Sequence, residues 1–294
     1  MQKYSIFNLV KNAFSGHQNW DLAWKDPAPK KQYDVVIIGG GGHGLATAYY
    51  LAKEHNITNV AIIEKGWIGG GNVGRNTTII RSNYMHDDNA LFSEFGMDLW
   101  RKMSQDLNYN VMFSPRGIIN LAHSDAQMNV YARRGNSMRL NGIDAILLNR
   151  EQVKEIIPMA DFSENVRFPI FGGLMQPSAG TARHDAVAWG YARQADSMGV
   201  DIIQNCEVIG FDVVGGKING IRTSRGDIKV KKIGLCVAGS TNILAEKLNM
   251  TLPVETHLLQ ACVSEPVKPI LDRVVTFGAG HFYISQSDKG EMVM

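Results

Sequence analysis

Apolar residues along this chain fall into short unbroken runs and, between them, into stretches that repeat every three or four positions. These are the periods of a buried strand and of an amphipathic helix. The first run, 33–38, is Tyr-Asp-Val-Val-Ile-Ile and leads into four glycines, which predicts a buried strand. Over 45–55, Leu45, Ala48, Tyr49 and Ala52 share one face and predict a helix. A second apolar strand, 60–64, ends on Glu64 and completes a βαβ unit. Further helices are predicted over 93–107, 126–141, 150–157, 182–198 and 242–248, several closed by Gly142, Pro158 or Gly199. Strand patterns cover 113–121 (interrupted by Gly117), 200–205, 208–214, 220–223, 227–230 and 233–238, and strand character returns beyond Leu252. The Gly-, Pro- and Phe-rich stretch 161–177 reads as loops and short strands. At the front, 3–14 has the pattern of a short amphipathic helix, and Pro27-Ala-Pro-Lys-Lys31 reads as a linker.

Composition adds limits. A chain of 294 residues, 45% hydrophobic and 20% charged, buries a sizeable core, and a net charge of +2 argues against nucleic acid or an anionic membrane as main partner. No signal-peptide pattern opens the chain, and no stretch approaches the roughly 20 apolar residues of a membrane span. Cys206, Cys236 and Cys262 are odd in number, widely spaced and set in apolar surroundings. They argue against a disulfide framework or a metal site and predict buried, reduced thiols in a cytoplasmic protein.

The chemistry concentrates at the first strand-to-helix turn. Gly39-Gly40-Gly41-Gly42-His43-Gly44 satisfies G-x-G-x-x-G at Gly39, Gly41 and Gly44. Such glycines allow the tight turn, the approach of a pyrophosphate and close helix-to-strand packing, and the helix start offers free amides to phosphate. Glu64, 20 residues after Gly44 at the end of the second strand, is placed to accept from ribose hydroxyls, which disfavours NADP. The turn does not choose between FAD and NAD. The second glycine-rich loop, 69–77, favours FAD, because a flavin dinucleotide needs more close backbone contacts than a nicotinamide one.

Three segments carry a resemblance: 64–84 (Glu-Lys-Gly-Trp-Ile-Gly-Gly-Gly-Asn-Val-Gly-Arg-Asn-Thr-Thr-Ile-Ile-Arg-Ser-Asn-Tyr), 181–193 (Thr-Ala-Arg-His-Asp-Ala-Val-Ala-Trp-Gly-Tyr-Ala-Arg) and 201–208. Together they resemble the β subunits of heterotetrameric sarcosine oxidases, within the D-amino-acid-oxidase-like flavoenzymes, and the similarity runs from about Tyr33 to the last residue. It implies an α/β fold, α+β overall. A Rossmann-like FAD-binding domain with a parallel sheet (33–110 and 172–248) is interleaved with a mostly antiparallel β-sheet substrate domain (111–171 and 249–294), behind an N-terminal arm (1–32).

The resemblance also implies oxidative demethylation of sarcosine to glycine at non-covalent FAD. Electrons pass to a covalent FMN and then to dioxygen, giving hydrogen peroxide, while tetrahydrofolate takes the one-carbon unit. Implied partners are α, γ and δ subunits, with NAD and tetrahydrofolate on the α subunit. His184 matches the histidine that carries FMN, and Arg81 matches the arginine that grips the substrate carboxylate. Gly42, His43, Asn72, Arg75, Asn76, Thr77 and Ile79 fall where the family contacts FAD, Val208 where a backbone meets the adenine, and Ala238-Gly239 at a later turn beside it. Arg183 is read either as offsetting flavin or phosphate charge or as a solvated arginine, and His257 either as near the second flavin or as a core histidine. Family members run on beyond this chain's last residue, so a fragment and a shortened product both stay open. The alternatives are a single-flavin amine or D-amino-acid oxidase and a non-catalytic flavin-binding module.

Overall fold

The computed structural model describes residues 5–294 apart from 19, 21, 164 and 281. The chain divides into two compact units, Met1–Gly71 with Tyr191–Glu255 and Asn72–Gly190 with Thr256–Met294.

The first unit is built on a six-stranded sheet in the order Asp201–Ile203, Val60–Ile63, Gln32–Ile38, Gly226–Leu235, Lys217–Thr223, Val208–Val214. The first four strands run parallel, and the last two pairings, of Gly226–Leu235 with Lys217–Thr223 and of Lys217–Thr223 with Val208–Val214, are antiparallel. Val36 lies opposite both Ala61 and Ile233, so the earliest strand is central. Its residues Tyr33, Val36 and Ile38 pack with Ala61, Ile63 and Ile203 into the unit's core. Helix Gly42–His55 connects the two parallel strands Gln32–Ile38 and Val60–Ile63, as the βαβ reading requires, and buries Leu45, Ala48, Tyr49 and Ala52. It begins three residues earlier than the pattern predicts, because glycines leave no apolar period to read.

Two predicted strands, 227–230 and 233–238, are one strand, Gly226–Leu235. Lys231-Lys232 reads as a break, but both lysines are exposed and Lys231 reaches Asp34 at 2.6 Å. The strand changes partner instead of stopping, pairing antiparallel with Lys217–Thr223 at its start and parallel with Gln32–Ile38 beyond.

The second unit holds a seven-stranded sheet in the order Val263–Pro266, Glu291–Val293, Phe282–Gln286, Val274–Phe277, Ile118–Ala122, Gly172–Gln176, Ile146–Asn149. Only Val274–Phe277 beside Ile118–Ala122 is parallel, so the sheet is mostly antiparallel as expected. Ile119, Leu121, Leu148, Val153, Ile157 and Val275 form its main core. The predicted strand over 113–121 contracts to Ile118–Ala122 because Gly117, at φ +85°, turns the chain just before it. Ile79–Ile80 and Gly180–Thr181 pair as a two-stranded ribbon too short for any period to reveal. Helix Asp87–Asp106 starts well before residue 93, with Asp87 and Asp88 favourable in its first turn.

The cysteines depart from expectation. Cys206 is buried, Cys236 is half-buried and Cys262 is exposed, since strand Val263–Pro266 lies at a sheet edge. Helix Ile6–Phe14, capped by Ser5, bears out the amphipathic pattern and exposes Ile6, Phe7, Val10 and Phe14; residues 3 and 4 lie outside the described residues. Among the described residues no helix is long and apolar enough to cross a membrane.

Candidate functional site

In the first unit the strand-to-helix turn is closed by steric necessity. Gly39 has φ +109°, and a Cβ on it would lie 2.3 Å from the carbonyl oxygen of Cys236. A Cβ on Gly44 would lie 2.0 Å from the carbonyl oxygen of Gly39. The helix is therefore drawn directly onto the strand, as the sequence predicts. Gly41 is its N-cap and supplies no side-chain cap, so the first-turn amides near Gly42 and His43 keep their donors for an incoming acceptor.

Glu64 is held at the carboxyl end of the neighbouring strand. Its Oε2 accepts from the Gly40 amide at 2.7 Å and its Oε1 from the Gly66 amide at 2.8 Å. Each oxygen keeps further acceptor capacity for a vicinal diol. The Gly39 amide donates to Ile63 and the Cys236 amide to Ile38, which aligns three parallel strand ends at one place. Ligands of open α/β sheets bind at such carboxyl ends. The loop that follows is fastened too: the Gly69 amide donates to Gly40 and the Ile68 amide to Gln204 Oε1. A glycine turn that a Cβ would fill, unspent amides and a fixed carboxylate fit the pyrophosphate and ribose of FAD. Val208 opens strand Val208–Val214 two residues past Cys206, whose amide donates to Glu64. Gly239 lies in the single turn Ala238–Ser240, where Ala238 adopts a left-handed φ of +46° that nothing in the sequence signals.

In the second unit Arg75, Asn76 and Thr77 line, with His184, a cleft of about 950 Å³. Residues assigned to FAD and the histidine assigned to FMN thus share one cavity wall. Asn72 occupies the position before the short turn Val73–Arg75 without a side-chain capping bond, and Asn76 fastens its own loop by accepting from the Thr78 amide at 2.7 Å and donating to Val73. Thr77 donates to the hydroxyl of Tyr283 at 2.9 Å. Thr78 is held at φ +62°, a strained conformation for a β-branched residue, and its carbonyl accepts from Ala182. Ile79 continues from it into the ribbon strand, half-buried. His184 is half-buried at the start of helix His184–Ser197.

Arg183 is not the solvated arginine of the second reading: it is ion-paired, and it lines the same cleft as His184. Its guanidinium grips Asp185 bidentately, at 3.0 and 2.6 Å, and reaches Asp288 at 3.1 Å. These bonds raise the Arg183 pKa, and the same guanidinium holds the Asp185 carboxyl below its ordinary value of 3.8. A carboxyl depressed in the folded state contributes stability that is present above about pH 4 and is lost as pH falls through the folded value. Asp185→Asn is therefore expected to lower Tm at pH 7 by roughly 2–4 °C. Melting curves should converge with the parent as pH drops below about 4; a gap constant down to pH 3 would assign the loss to packing. His257 is exposed, which removes the core reading.

Arg81 does not line the His184 cleft. It donates to Asn83 Oδ1 at 2.5 Å, and its guanidinium lies 4.6 Å from the centroid of the Tyr84 ring. Arg134, on helix Asp125–Leu140, donates to the backbone carbonyl of the same Asn83. Asn83 and Arg134 escaped the sequence reading: a lone asparagine and a helix-face arginine 51 residues apart have no shared pattern.

A parallel sheet with this glycine turn and carboxylate, joined in sequence to a largely antiparallel sheet, is the architecture of a flavin-dependent oxidoreductase. Residues 34–294 match the family model described as FAD dependent oxidoreductase. The chain belongs to that family, alongside the sarcosine oxidase β subunits. It is 59% identical to sarcosine oxidase subunit beta of Rhizobium meliloti (strain 1021), over 99% of this chain and 70% of that relative. It is 51% identical to the subunit of the same name from Rhodobacter capsulatus, over 100% and 71%. Among solved structures, L-proline dehydrogenase from P. horikoshii superposes with a TM-score of 0.80 at 26% identity, covering 90% of this chain and 70% of that one.

Proposed function

We propose that this chain is the sarcosine-oxidising subunit of a multi-subunit sarcosine oxidase, with non-covalent FAD and a covalent FMN on His184. The observation that carries the reading is the 59% identity to a sarcosine oxidase β subunit across 99% of the chain. When bound, the flavins supply the redox chemistry, taking two electrons from the N-methyl group and delivering them to dioxygen as hydrogen peroxide. The chain's own residues bind and orient. First-turn amides after Gly41 meet the pyrophosphate, Glu64 accepts from ribose, and Arg81 holds the substrate carboxylate so that its methyl group faces the flavin. Asn72, Arg75, Asn76, Thr77 and Ile79 complete the flavin contacts, and Val208 and Gly239 flank the adenosine end.

The partners in this reading are α, γ and δ subunits, with NAD and tetrahydrofolate on the α subunit. The compartment is cytoplasmic, consistent with three unbridged cysteines. His184 supports the second flavin because it is half-buried in the wall of a cleft of about 950 Å³, large enough for an isoalloxazine ring.

Intact mass of the chain from the assembled complex, taken under denaturing conditions, tests this. The expected result is a species heavier by one FMN, absent from His184→Ala. An unmodified mass in the parent would exclude the two-flavin reading and leave a single-flavin amine oxidase.

A further inference from the structure

We infer that Arg134 is a positioning residue for Arg81, acting through Asn83 to set the guanidinium that the proposed function assigns to the substrate carboxylate. This rests on the reading of Arg81 as the carboxylate-binding residue.

Asn83 joins the two arginines. Its backbone carbonyl accepts from Arg134 and its side-chain oxygen accepts from Arg81, so Arg134 fixes the residue that fixes the Arg81 rotamer. Tyr84 bounds the Arg81 guanidinium on another side. The support is rigid. The helix bearing Arg134 packs through Met138 against Ala90, Ile143 and Leu174, with Tyr84 and Tyr131 against the same cluster.

The unspent hydrogen-bonding capacity here is of one kind. Asn83 is fully buried, and neither its Nδ2 nor the Arg134 Nε has a hydrogen-bond partner among the described residues. Both are donors. The side chains that act electrostatically on Arg134 are Arg81, Tyr131 and Tyr84, with no carboxylate among them. Glu94, close by through Ser82, is committed to that hydroxyl at 2.6 Å and to Arg101 at 3.0 Å. Two like charges in a half-buried place, with buried donors left over and no carboxylate paired to either arginine among the described residues, are an arrangement that an incoming carboxylate completes. A neutral amine would leave the same donors unanswered, so the site discriminates by charge.

The test uses the assembled, flavin-loaded complex with sarcosine and with N-methylglycinamide, which replaces the carboxylate by a neutral amide. Arg134→Met is expected to raise KM for sarcosine about 10-fold with kcat nearly unchanged, while KM for the amide moves less than about 2-fold. Arg134→Lys, which restores a charged donor, is expected to recover most of the loss. Should Arg134→Met fail to assemble, Arg134→Gln, whose shorter side chain withdraws the donor from the Asn83 carbonyl while keeping a polar group at the site, is expected to show the same substrate-selective rise. An unchanged KM for sarcosine, or equal rises for both substrates, would overturn the inference. Arg81→Met, measured beside them, separates the two levels. If it raises KM for sarcosine and the Arg134 variants do not, only the role of Arg134 falls; if it does not, the reading of Arg81 falls first.

Discussion

Gly44→Ala is expected to yield a protein that retains less than about a tenth of the parent's FAD and melts roughly 6–12 °C lower. The added methyl carbon would lie 2.0 Å from the Gly39 carbonyl oxygen, which is backbone, and a Cβ has no torsion of its own by which to swing away. Relief requires the helix to lift from the strand. That motion costs about 3 kcal/mol and moves the first-turn amides off the phosphates they are to meet. Gly96→Ala, on helix Asp87–Asp106 and outside the segments assigned to FAD, is the matched control. A Cβ there meets open space and the backbone is not left-handed, so flavin content should be kept and stability should change by no more than about 1 kcal/mol. Flavin content by absorbance after release, together with thermal melting, reads both effects. Equal behaviour of the two variants would mean that the strand-to-helix turn does not set dinucleotide affinity.

The second large effect is expected at Arg81. On the proposed reading, Arg81→Met should raise KM for sarcosine about 100-fold or more, the equivalent of about 3 kcal/mol, because a half-buried guanidinium facing a carboxylate loses both charge and bidentate donors. The residue forms no ion pair among the described residues, and its partners are a neutral amide oxygen and an aromatic face. Its charge is therefore uncompensated until an anion arrives. Steady-state kinetics with N-methylglycinamide should show a far smaller change, and a comparable loss with both substrates would assign Arg81 to the fold rather than to the carboxylate.

The site was unevenly legible in the chain. Gly39, Gly41, Gly44 and Glu64 stood out because the turn is a local event: its contacts lie within one βαβ unit, and both strands announce themselves by unbroken apolar runs. His184 and Arg81 were found by resemblance, since neither a histidine at a helix start nor an arginine after two isoleucines carries a physical signature of its own. Asn83 and Arg134 were invisible for the same reason, and they meet only because helix Asp125–Leu140 packs beside the segment that follows the ribbon. The continuous strand Gly226–Leu235 was split in the reading because two lysines look like a boundary to a pattern, whereas in the sheet they are exposed.

What the sequence determined by itself is the βαβ unit and its glycine turn, consequences of short-range periodicity and of the backbone freedom of glycine; the split into a parallel and a mostly antiparallel sheet came from the family resemblance. What the tertiary structure alone decided is which distant side chains share a site: Arg183 locked onto Asp185 and Asp288, Cys262 out in solvent, and Arg134 brought to Arg81 through Asn83. Those pairings depend on how elements pack, and packing is set by volume and contact across the fold rather than by order along the chain.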